Sequence, residues 1–255
     1  MNEAESVSSD AGASTTFEPG VYISGVAQTR DNFNNRIIKS AVKSQAVVDA
    51  FANVDRKDFV PDDFKMLAYS DDGAIPLGEH SSISQASLIA EMIEQLDLSR
   101  SATVLEIGTA SGYTAAVLSQ LATRVETIEY DKELADQAKQ RLVSLGYLNV
   151  NVHFGDGAQG LAENAPFDAI IITAAVKEFP YQLEKQLAEG GRIIAPVGMD
   201  INETYLTVAT KTKGRLIRKK IRQVFFLPLI SKFHGGWDSL EEFNQASMPQ
   251  VIGKE

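Results

Sequence analysis

Glycines and acidic residues follow three apolar runs of the sequence at positions that suit the binding of a nucleoside. Gly108 and Gly112 bracket a tight turn after the first run, where a larger side chain would block the close approach of backbone to ligand. Glu129 follows the second run, and a carboxylate there is placed to accept hydrogen bonds from ribose hydroxyls. Gly155-Asp156-Gly157 follows the third run, where its acid can bond a purine ring. Together these residues indicate a nucleoside site.

The spacing of the glycines distinguishes between the cofactors that contain a nucleoside. The Gly108-x-x-x-Gly112 turn lacks the third glycine of a dinucleotide site, and no lysine follows it as in a phosphate-binding loop. NAD and ATP are therefore disfavoured, and S-adenosylmethionine is the cofactor that fits. Each glycine pair taken alone also fits an ordinary strand-to-helix turn. A helix-capping role competes for Glu129, but Asp131 is the better capping residue there.

The elements that must position these residues alternate between strands and helices. Continuous apolar runs predict five buried parallel strands, of which the fourth is the most apolar and therefore central, over 104–107, 124–128, 150–154, 167–173 and 192–198. Helical spacing predicts helices between them over 113–121, 132–145 and 181–187, with Gly190-Gly191 ending the last. The alternation predicts an α/β fold whose ligand lies at the carboxyl ends of the strands.

Two further helices are predicted before the first strand. Apolar spacing predicts one continuous helix over 36–54, which Phe59-Val60-Pro61 follows and ends. A polar loop then leads into a helix over 85–96, and Ser84 stands where an N-cap residue would be. The alternative role for Ser84 is a hydroxyl that faces an anionic group at the helix N-terminus. The two roles are compatible.

After the fifth strand the pattern predicts an antiparallel hairpin. The segments 205–210 and 216–227 flank a turn at Lys213-Gly214. The hairpin is locally basic, with Lys211, Lys213, Arg215, Arg218, Lys219, Lys220 and Arg222. We interpret these charges as a solvated sheet edge that is protected against aggregation. The alternative is a patch that recruits an acidic peptide.

Composition limits the remaining possibilities. The 255 residues carry a net charge of −10, which disfavours a nucleic-acid partner, and they include no cysteine and three widely separated histidines, so we expect no metal site. No apolar run is long enough for a membrane helix and no secretory signal is apparent, so a cytoplasmic location is expected. We divide the chain into an acidic, disordered tail (1–27), one domain with an N-terminal helical cap (28–232) and a C-terminal extension (233–255). The sequence leaves the oligomeric state open.

Several motifs, taken in order, resemble the protein-L-isoaspartate (D-aspartate) O-methyltransferase family. They span 36–229 and comprise Val54–Pro61, Ser82–Gln85, Val104–Tyr113, Gly155–Gly157, Ala165–Ala175, Gly190–Gly198 and Phe226–Leu229. The resemblance implies a Rossmann-like class I methyltransferase fold, with a seven-stranded, mostly parallel sheet, an antiparallel last strand and helices on both faces. It also implies S-adenosylmethionine as cofactor and, as reaction, esterification of an isoaspartyl or aspartyl side-chain carboxylate in a protein or peptide.

The resemblance also implies roles for individual residues. Ser84 matches the catalytic serine beside the substrate carboxylate. The positions implied to contact the cofactor are Gln85, Glu106, Gly108, Thr109, Ser111, Gly112, Glu129, Asp156 and Gly157. The positions implied to form the substrate loop around Ser84 are Ser82, Ile83, Ala86 and Ser87.

The chain departs from the family pattern at informative places. Ala86 stands where the family has a proline, Ala110 where it has a glycine, and Ile230 where a polar residue is common. These changes favour, as an alternative to general protein repair, a specialised enzyme that methylates one dedicated peptide. Two other hypotheses remain: a methyltransferase of RNA or a small molecule, supported by the basic hairpin, and a non-catalytic binding protein with the same fold.

Overall fold

The computed structural model describes residues 29–78, 81–200 and 202–247. The predicted disordered tail, His80 and the end of the C-terminal extension lie outside the described residues. No helix in the described part of the chain is long and apolar enough to cross a membrane.

Seven strands form a single twisted sheet around which the domain is built. They are β1 (Thr103–Ile107), β2 (Arg124–Glu129), β3 (Val150–Phe154), β4 (Phe167–Ile172), β5 (Leu187–Val197), β6 (Tyr205–Thr212) and β7 (Arg215–Gln223). Their order across the sheet is β3-β2-β1-β4-β5-β6-β7. The first five are parallel, and β6 pairs antiparallel with both β5 and β7. The predicted fold, with its antiparallel closing hairpin and central fourth strand, is confirmed.

Helices cover both faces of the sheet. They are α1 (Gln45–Asn53), α2 (Ala86–Leu96), α3 (Tyr113–Ser119), α4 (Lys132–Ser144), α5 (Tyr181–Gln186) and α6 (Leu240–Ser247). Alternate residues of the strands point to opposite faces, so Val104 and Leu105 belong to different core clusters. The cluster with Val104 also holds the apolar faces of α1, α2 and α3, and the cluster with Leu105 holds that of α5. Short 3₁₀ turns cover Arg56–Phe59, Asp62–Leu67, Gly157–Gln159 and Ala162–Asn164, and the two-residue strands Ile75–Pro76 and Ser82–Ile83 pair antiparallel.

The continuous helix predicted over 36–54 is wrong. The chain forms short helical segments over Arg30–Asn32, Phe33–Ile38 and Lys39–Ala41, and Val42 is extended before α1 begins. Glu94 of α2 explains the break, because its Oε1 accepts hydrogen bonds from the backbone N–H groups of Lys43 and Ser44, both at 2.6 Å. Ser44 then caps α1 through a bond from the Val47 N–H. The apolar spacing continues across the break and so conceals it.

The predicted N-cap role of Ser84 is also wrong. Gln85 occupies the N-cap position of α2, and its side chain makes no capping bond. The carboxylate of Asp71 accepts a hydrogen bond from the Ser87 N–H at 2.9 Å and another from the Gln85 side chain at 3.1 Å. A distant acid therefore supplies the capping bond, and the hydroxyl of Ser84 is left for another role.

The predicted helix end at Gly190-Gly191 is a bulge in β5. Helix α5 ends at Gln186, and β5 begins at Leu187. Phe167 pairs with Leu187 and Ala169 pairs with Arg192, so the two glycines lie in the stretch that has no regular partner. Glycine suits this place because Gly190 has a φ of +80° and a Cβ on Gly191 would lie 2.9 Å from two carbonyl oxygens. The prediction that Asp131 caps the helix after β2 is confirmed, because its carboxylate accepts the first free N–H groups of α4.

The substitution Asp71→Ala tests the source of the capping bond. It leaves the Ser87 N–H without its acceptor, so we expect a loss of about 1 kcal/mol in the free energy of unfolding. Ser84→Ala should change that free energy by less than about 0.5 kcal/mol, since the hydroxyl caps nothing. Urea unfolding of both variants measures the difference. A larger loss for Ser84→Ala than for Asp71→Ala would contradict this assignment.

Candidate functional site

A cavity of about 1500 Å³ opens at the carboxyl ends of β1, β2 and β4. Its walls come from four parts of the chain: the loop and helix start within 73–88, the strand ends with the beginning of α4, the segment 222–230 that leaves β7, and residues 238–240. The position is the one at which parallel α/β sheets bind their ligands.

The glycine turn forms the floor of this cavity. Gly108 and Ala110 lie on the wall, whereas the predicted cofactor residues Thr109, Ser111 and Gly112 are buried behind it. Gly108 has a φ of +96°, and a Cβ there would lie 2.6 Å from the Thr173 hydroxyl oxygen, so glycine is required. Ala110, where the family pattern has glycine, takes a φ of +48°, which costs an alanine roughly 1 kcal/mol.

The predicted ribose acid, Glu129, holds the glycine turn in place. Its Oε2 accepts a hydrogen bond from the Ala110 N–H at 2.7 Å, and its Oε1 accepts one from the Asp131 N–H at 3.1 Å. Glu129 also lies on the cavity wall. The carboxylate is therefore fixed by two backbone bonds while one side of it faces the cavity. Its predicted bond to a ribose stays a prediction.

The carboxyl group of Glu106 lies below the turn and not on the cavity wall. The Thr127 hydroxyl donates to its Oε2 at 2.5 Å, and the Thr109 hydroxyl bonds that of Thr127 at 2.7 Å. Oε1 has no partner among the described residues. Complete burial raises the pKa of Glu106 to about 8, the Thr127 bond lowers it and the charge of Glu129 raises it further. Glu106 is thus largely protonated at neutral pH and supports the turn from beneath.

The Gly155-Asp156-Gly157 motif also has one residue on the cavity wall and one behind it. Gly157 lies on the cavity wall, and a Cβ there would overlap the side chain of Ile107. Asp156 is not on the wall, because the Ala158 N–H at 3.0 Å and the Ser231 hydroxyl at 2.9 Å each donate to one of its carboxylate oxygens. The structure therefore gives Asp156 a positioning role, and its predicted bond to a purine stays a prediction.

The segment 82–87, which holds the predicted substrate loop and the predicted cofactor contact Gln85, contributes three side chains to the cavity. Ser82, Ser84 and Gln85 are on its wall. The hydroxyl of Ser84 makes no hydrogen bond with any described residue. This hydroxyl is therefore available to a ligand.

The other three residues of that segment do not reach the cavity. Ile83 and Ala86 are buried in the hydrophobic core, and Ser87 gives its N–H to Asp71. Ala86 is the first residue of α2, the position where a proline would stiffen the helix start. Here the bonds from Gln85 and Ser87 to Asp71 fix that start instead.

A buried arginine holds the backbone behind Ser84. Arg56 is 1% exposed, and its guanidinium donates to the carbonyl oxygens of Ser84 at 3.0 Å, Ser70 at 2.8 Å and Ala68 at 3.4 Å. The 3₁₀ turn Arg56–Phe59, capped by Asp55, places this side chain. The sequence marked Arg56 only as part of a motif, because its partners are carbonyl groups that no residue pattern reveals.

Aromatic rings enclose the same guanidinium. Its carbon lies 5.8 Å from the centre of the Phe33 ring and 5.6 Å from that of Tyr113. Burial lowers the pKa of Arg56, but an arginine stays charged when its pKa begins above 12. Since ring faces and carbonyl oxygens both attract a cation, this charge is stabilised although no carboxylate of the described residues bonds it directly.

Three exposed aromatic side chains on the cavity wall are functional candidates that the sequence reasoning missed. Tyr130 is 58% exposed, Phe154 59% and Phe225 60%, and all three line the cavity. Large exposed apolar groups in a concave site favour ligand contact. The available signal was that Tyr130 and Phe154 stand at the ends of two strands, beside Glu129 and Gly155.

The C-terminal segment is a second feature that the sequence did not reveal as part of the site. The wall segment around Leu229 is held on one side by Ala175, through backbone bonds of 2.7 and 2.8 Å. On its other side the backbone of Trp237 exchanges two bonds of 2.8 Å with Leu229 and Ser231. Trp237 is buried against Phe243 of α6, and Asp238, Ser239 and Leu240 add to the wall.

The charge of the cavity wall suits S-adenosylmethionine. Its acidic wall residues, Glu129, Asp131, Glu133 and Asp238, outnumber the basic ones, Lys132 and Arg222, which favours a cationic ligand. The exposed faces of Tyr130 and Phe154 offer apolar surface to a base. Within the described part of the chain, no group of three or more His, Asp or Glu side chains is arranged to hold a metal ion.

The sheet order, the strand-end cavity and the glycine turn define a Rossmann-like class I methyltransferase. The model of the protein-L-isoaspartate (D-aspartate) O-methyltransferase family matches residues 28–234. The chain belongs to this family.

Relatives and solved structures agree with this assignment. Protein-L-isoaspartate O-methyltransferase of Gloeobacter violaceus is 45% identical over 74% of this chain and 91% of its own, and that of Geobacter metallireducens is 42% identical over 81% and 94%. A solved protein-L-isoaspartate O-methyltransferase superposes with a TM-score of 0.73 at 29% identity, over 81% of this chain and 67% of its own. A Plasmodium falciparum protein solved with S-adenosyl-L-homocysteine shares the fold, with a TM-score of 0.69 at 21% identity over 78% and 97%.

The substitution Glu106→Gln tests the protonation of the buried acid. With a pKa of about 8 in the folded chain against an ordinary 4.5, Glu106 keeps a proton that the unfolded chain releases between those values. The wild-type protein should therefore lose stability as the pH rises from about 5 to 8, by up to about 1.4 kcal/mol per pH unit. Glu106→Gln should flatten this loss. Urea unfolding across that pH range measures it, and parallel profiles for the two proteins would refute the assignment.

The substitution Phe154→Ala tests the aromatic wall. Because the ring is mostly exposed, its loss should change the free energy of unfolding by less than about 0.5 kcal/mol. If a base stacks on it, the affinity for S-adenosylmethionine should fall about ten-fold, equivalent to 1–2 kcal/mol. Calorimetric titration of the cofactor measures the effect. Phe233→Ala, which removes an exposed ring that does not line the cavity, is the control that should leave this affinity unchanged.

Proposed function

We propose that this chain transfers the methyl group of S-adenosylmethionine to the side-chain carboxylate of an isoaspartyl residue in a protein or peptide. The observation that carries this proposal is the free hydroxyl of Ser84, on the wall of the same cavity as Gly108 and Glu129. The proposed cofactor site and the proposed hydrogen-bond donor for a substrate carboxylate therefore face the same cavity. Membership of the family and the names of its relatives support the same reaction.

The part of the wall formed by the strand ends would bind the cofactor. When bound, S-adenosylmethionine supplies a methyl group on a positively charged sulfur. Gly108 and Ala110 would let the backbone approach it, Glu129 would accept hydrogen bonds from its ribose, and the rings of Tyr130 and Phe154 would cover its base. The acidic surroundings favour this cation over a phosphate-bearing nucleotide.

The substrate needs little chemical activation from the protein. A side-chain carboxylate with a pKa of about 4 is ionised at neutral pH, so the site requires no strong general base. The residues instead orient the reacting groups and exclude water. The Ser84 hydroxyl would donate a hydrogen bond that orients the carboxylate and leaves its charge intact. Arg56 supports this role, because its bond to the Ser84 carbonyl fixes the backbone that carries the hydroxyl.

The altered substrate loop is weaker support for a dedicated peptide than the sequence suggested. The missing proline at position 86 is offset by the bonds of Gln85 and Ser87 to Asp71, so the helix start remains fixed. General methylation of isoaspartyl residues is therefore the preferred function. A cytoplasmic location and the absence of a nucleic-acid partner belong to the same proposal, supported by the cysteine-free composition and the net charge of −10.

Matched peptides test the proposed reaction. Two peptides of one sequence, with isoaspartate or aspartate at a single position, are incubated with the protein and S-adenosylmethionine. We expect only the isoaspartyl peptide to gain the mass of one methyl ester, which mild base removes. Esterification of the aspartyl peptide alone would favour the dedicated-peptide alternative. Transfer to neither peptide would remove the basis of the proposal.

The substitution Ser84→Ala tests the role of the hydroxyl. Loss of a hydrogen bond to a charged group should lower kcat/KM for the isoaspartyl peptide about ten- to a hundred-fold, equivalent to 1.5–3 kcal/mol. The Kd for S-adenosylmethionine should stay within about two-fold, because the proposal assigns the Ser84 hydroxyl to the substrate carboxylate and not to the cofactor. Ser87→Ala is the matched control in the same loop, and it should leave both quantities unchanged. Equal losses of turnover and cofactor affinity in Ser84→Ala would contradict a substrate-facing role.

A further inference from the structure

The outer hairpin, formed by β6 and β7, carries a concentration of positive charge in an acidic protein. Seven of the 24 Lys and Arg residues of the chain lie within 211–222, and this stretch contains no Asp or Glu. The charge of the whole chain is −10. A positive stripe on such a molecule is the natural docking place for an acidic partner.

Part of this charge is already used within the protein. Arg218 forms an ion pair with Glu184 at 3.0 Å, and Arg222 forms one with Glu91 at 2.8 Å. These two pairs join β7 to the helices on its two faces. Lys211 donates to backbone carbonyl groups at the end of α5. These contacts explain three of the seven charges as structural.

The remaining charges have no such explanation. Lys213, Arg215 and Lys219 are exposed and form no ion pair with any described residue, and Lys220 lies 4.6 Å from the ring of Tyr205. Protection of the edge against aggregation would account for them. However, β3, at the opposite edge of the same sheet, carries neither Lys nor Arg. The protein therefore does not protect its sheet edges with basic residues as a rule.

Strand β7 is open on its outer side and continuous with the cavity. It pairs only with β6 among the described strands, so the backbone groups of its outer edge are unpaired. Nine residues of strand extend about 30 Å. Its last residues, Arg222 and Gln223, and the segment that follows them form one part of the cavity wall. A polypeptide paired with this edge would run directly into the site.

We propose that β7 is the docking edge for the substrate polypeptide. An extended, acidic segment next to the isoaspartyl residue pairs with the open edge of β7, and its carboxylates face Lys219 and Lys220. The pairing then leads the isoaspartyl residue into the cavity, and main-chain hydrogen bonds make it tolerant of sequence. This inference rests on the proposed function, because it assigns a recognition surface to the same reaction.

Isoaspartyl peptides that share one core and differ in a short flank of glutamates, serines or lysines test the proposal. The flank is placed on one side of the isoaspartyl residue. At low salt the peptide with the glutamate flank should have a kcat/KM roughly five-fold higher than the peptide with the serine flank, mainly through a lower KM. Added salt should remove this advantage, since exposed charges are screened. A glutamate-flanked peptide with N-methylated flank amides should lose it as well, because it cannot pair with the strand.

Charge reversal locates the effect on the strand. The double variant Lys219→Glu/Lys220→Glu should prefer the lysine flank and keep the wild-type kcat/KM for the serine-flanked peptide. Lys139→Glu, which reverses an exposed charge on α4 away from the cavity wall, should keep the preference for glutamate.

The outcomes separate this inference from the proposed function. Equal kcat/KM values for all three flanks would overturn the docking edge while leaving isoaspartyl methylation intact. Transfer to none of the peptides would instead refute the proposed function. As a last comparison, a single-stranded RNA oligonucleotide and a glutamate peptide without isoaspartate are tested as inhibitors of methyl transfer. Stronger inhibition by the RNA, lost in the Lys219→Glu/Lys220→Glu variant, would reassign the strand to nucleic acid and overturn the proposal.

Discussion

The hydrogen bonds of one buried cation hold together the loops that lead to Ser84. The guanidinium of Arg56 donates hydrogen bonds to the carbonyl groups of Ala68, Ser70 and Ser84. These three residues lie in loops, outside the helices and strands. Removing a charged group from water is costly unless hydrogen bonds replace the lost hydration. The loops must therefore keep these carbonyl groups directed inward, and the position of the Ser84 hydroxyl follows from that requirement.

The glycine turn depends on a second set of buried polar contacts. Glu129 fixes the glycine turn from the side, while Glu106 supports it from below through the hydroxyl groups of Thr127 and Thr109. Because Glu106 is largely neutral, the charge of Glu129 is not opposed by a second buried anion. Two neighbouring acids can thus share one turn, and only one of them faces the cavity.

The sequence predicted the strands well because their physics is local. Residues of β1 and β4 are buried on both faces, so continuous apolar runs mark them with few possible alternatives. The features that the sequence did not predict, the break before α1 and the capping bond of α2, depend on contacts between residues far apart in sequence. Glu94 breaks the first helix across 50 residues of sequence, and Asp71 supplies the capping bond of α2 across 16. The residues of the site could likewise be predicted from the sequence. Which of them line the cavity and which hold the turn behind it depends on packing, which the sequence does not reveal.

Parts of the cavity that lie close together in space are far apart along the chain. The residues around the glycine turn and Glu129 precede the wall segment by about a hundred positions, and Trp237, which anchors that segment, is nearly the last buried residue. During synthesis the half of the cavity that the strand ends form emerges from the ribosome well before the segment that closes it. An incomplete chain therefore holds an open half-site without its outer wall. Assembly of the complete cavity therefore requires that synthesis has passed Trp237.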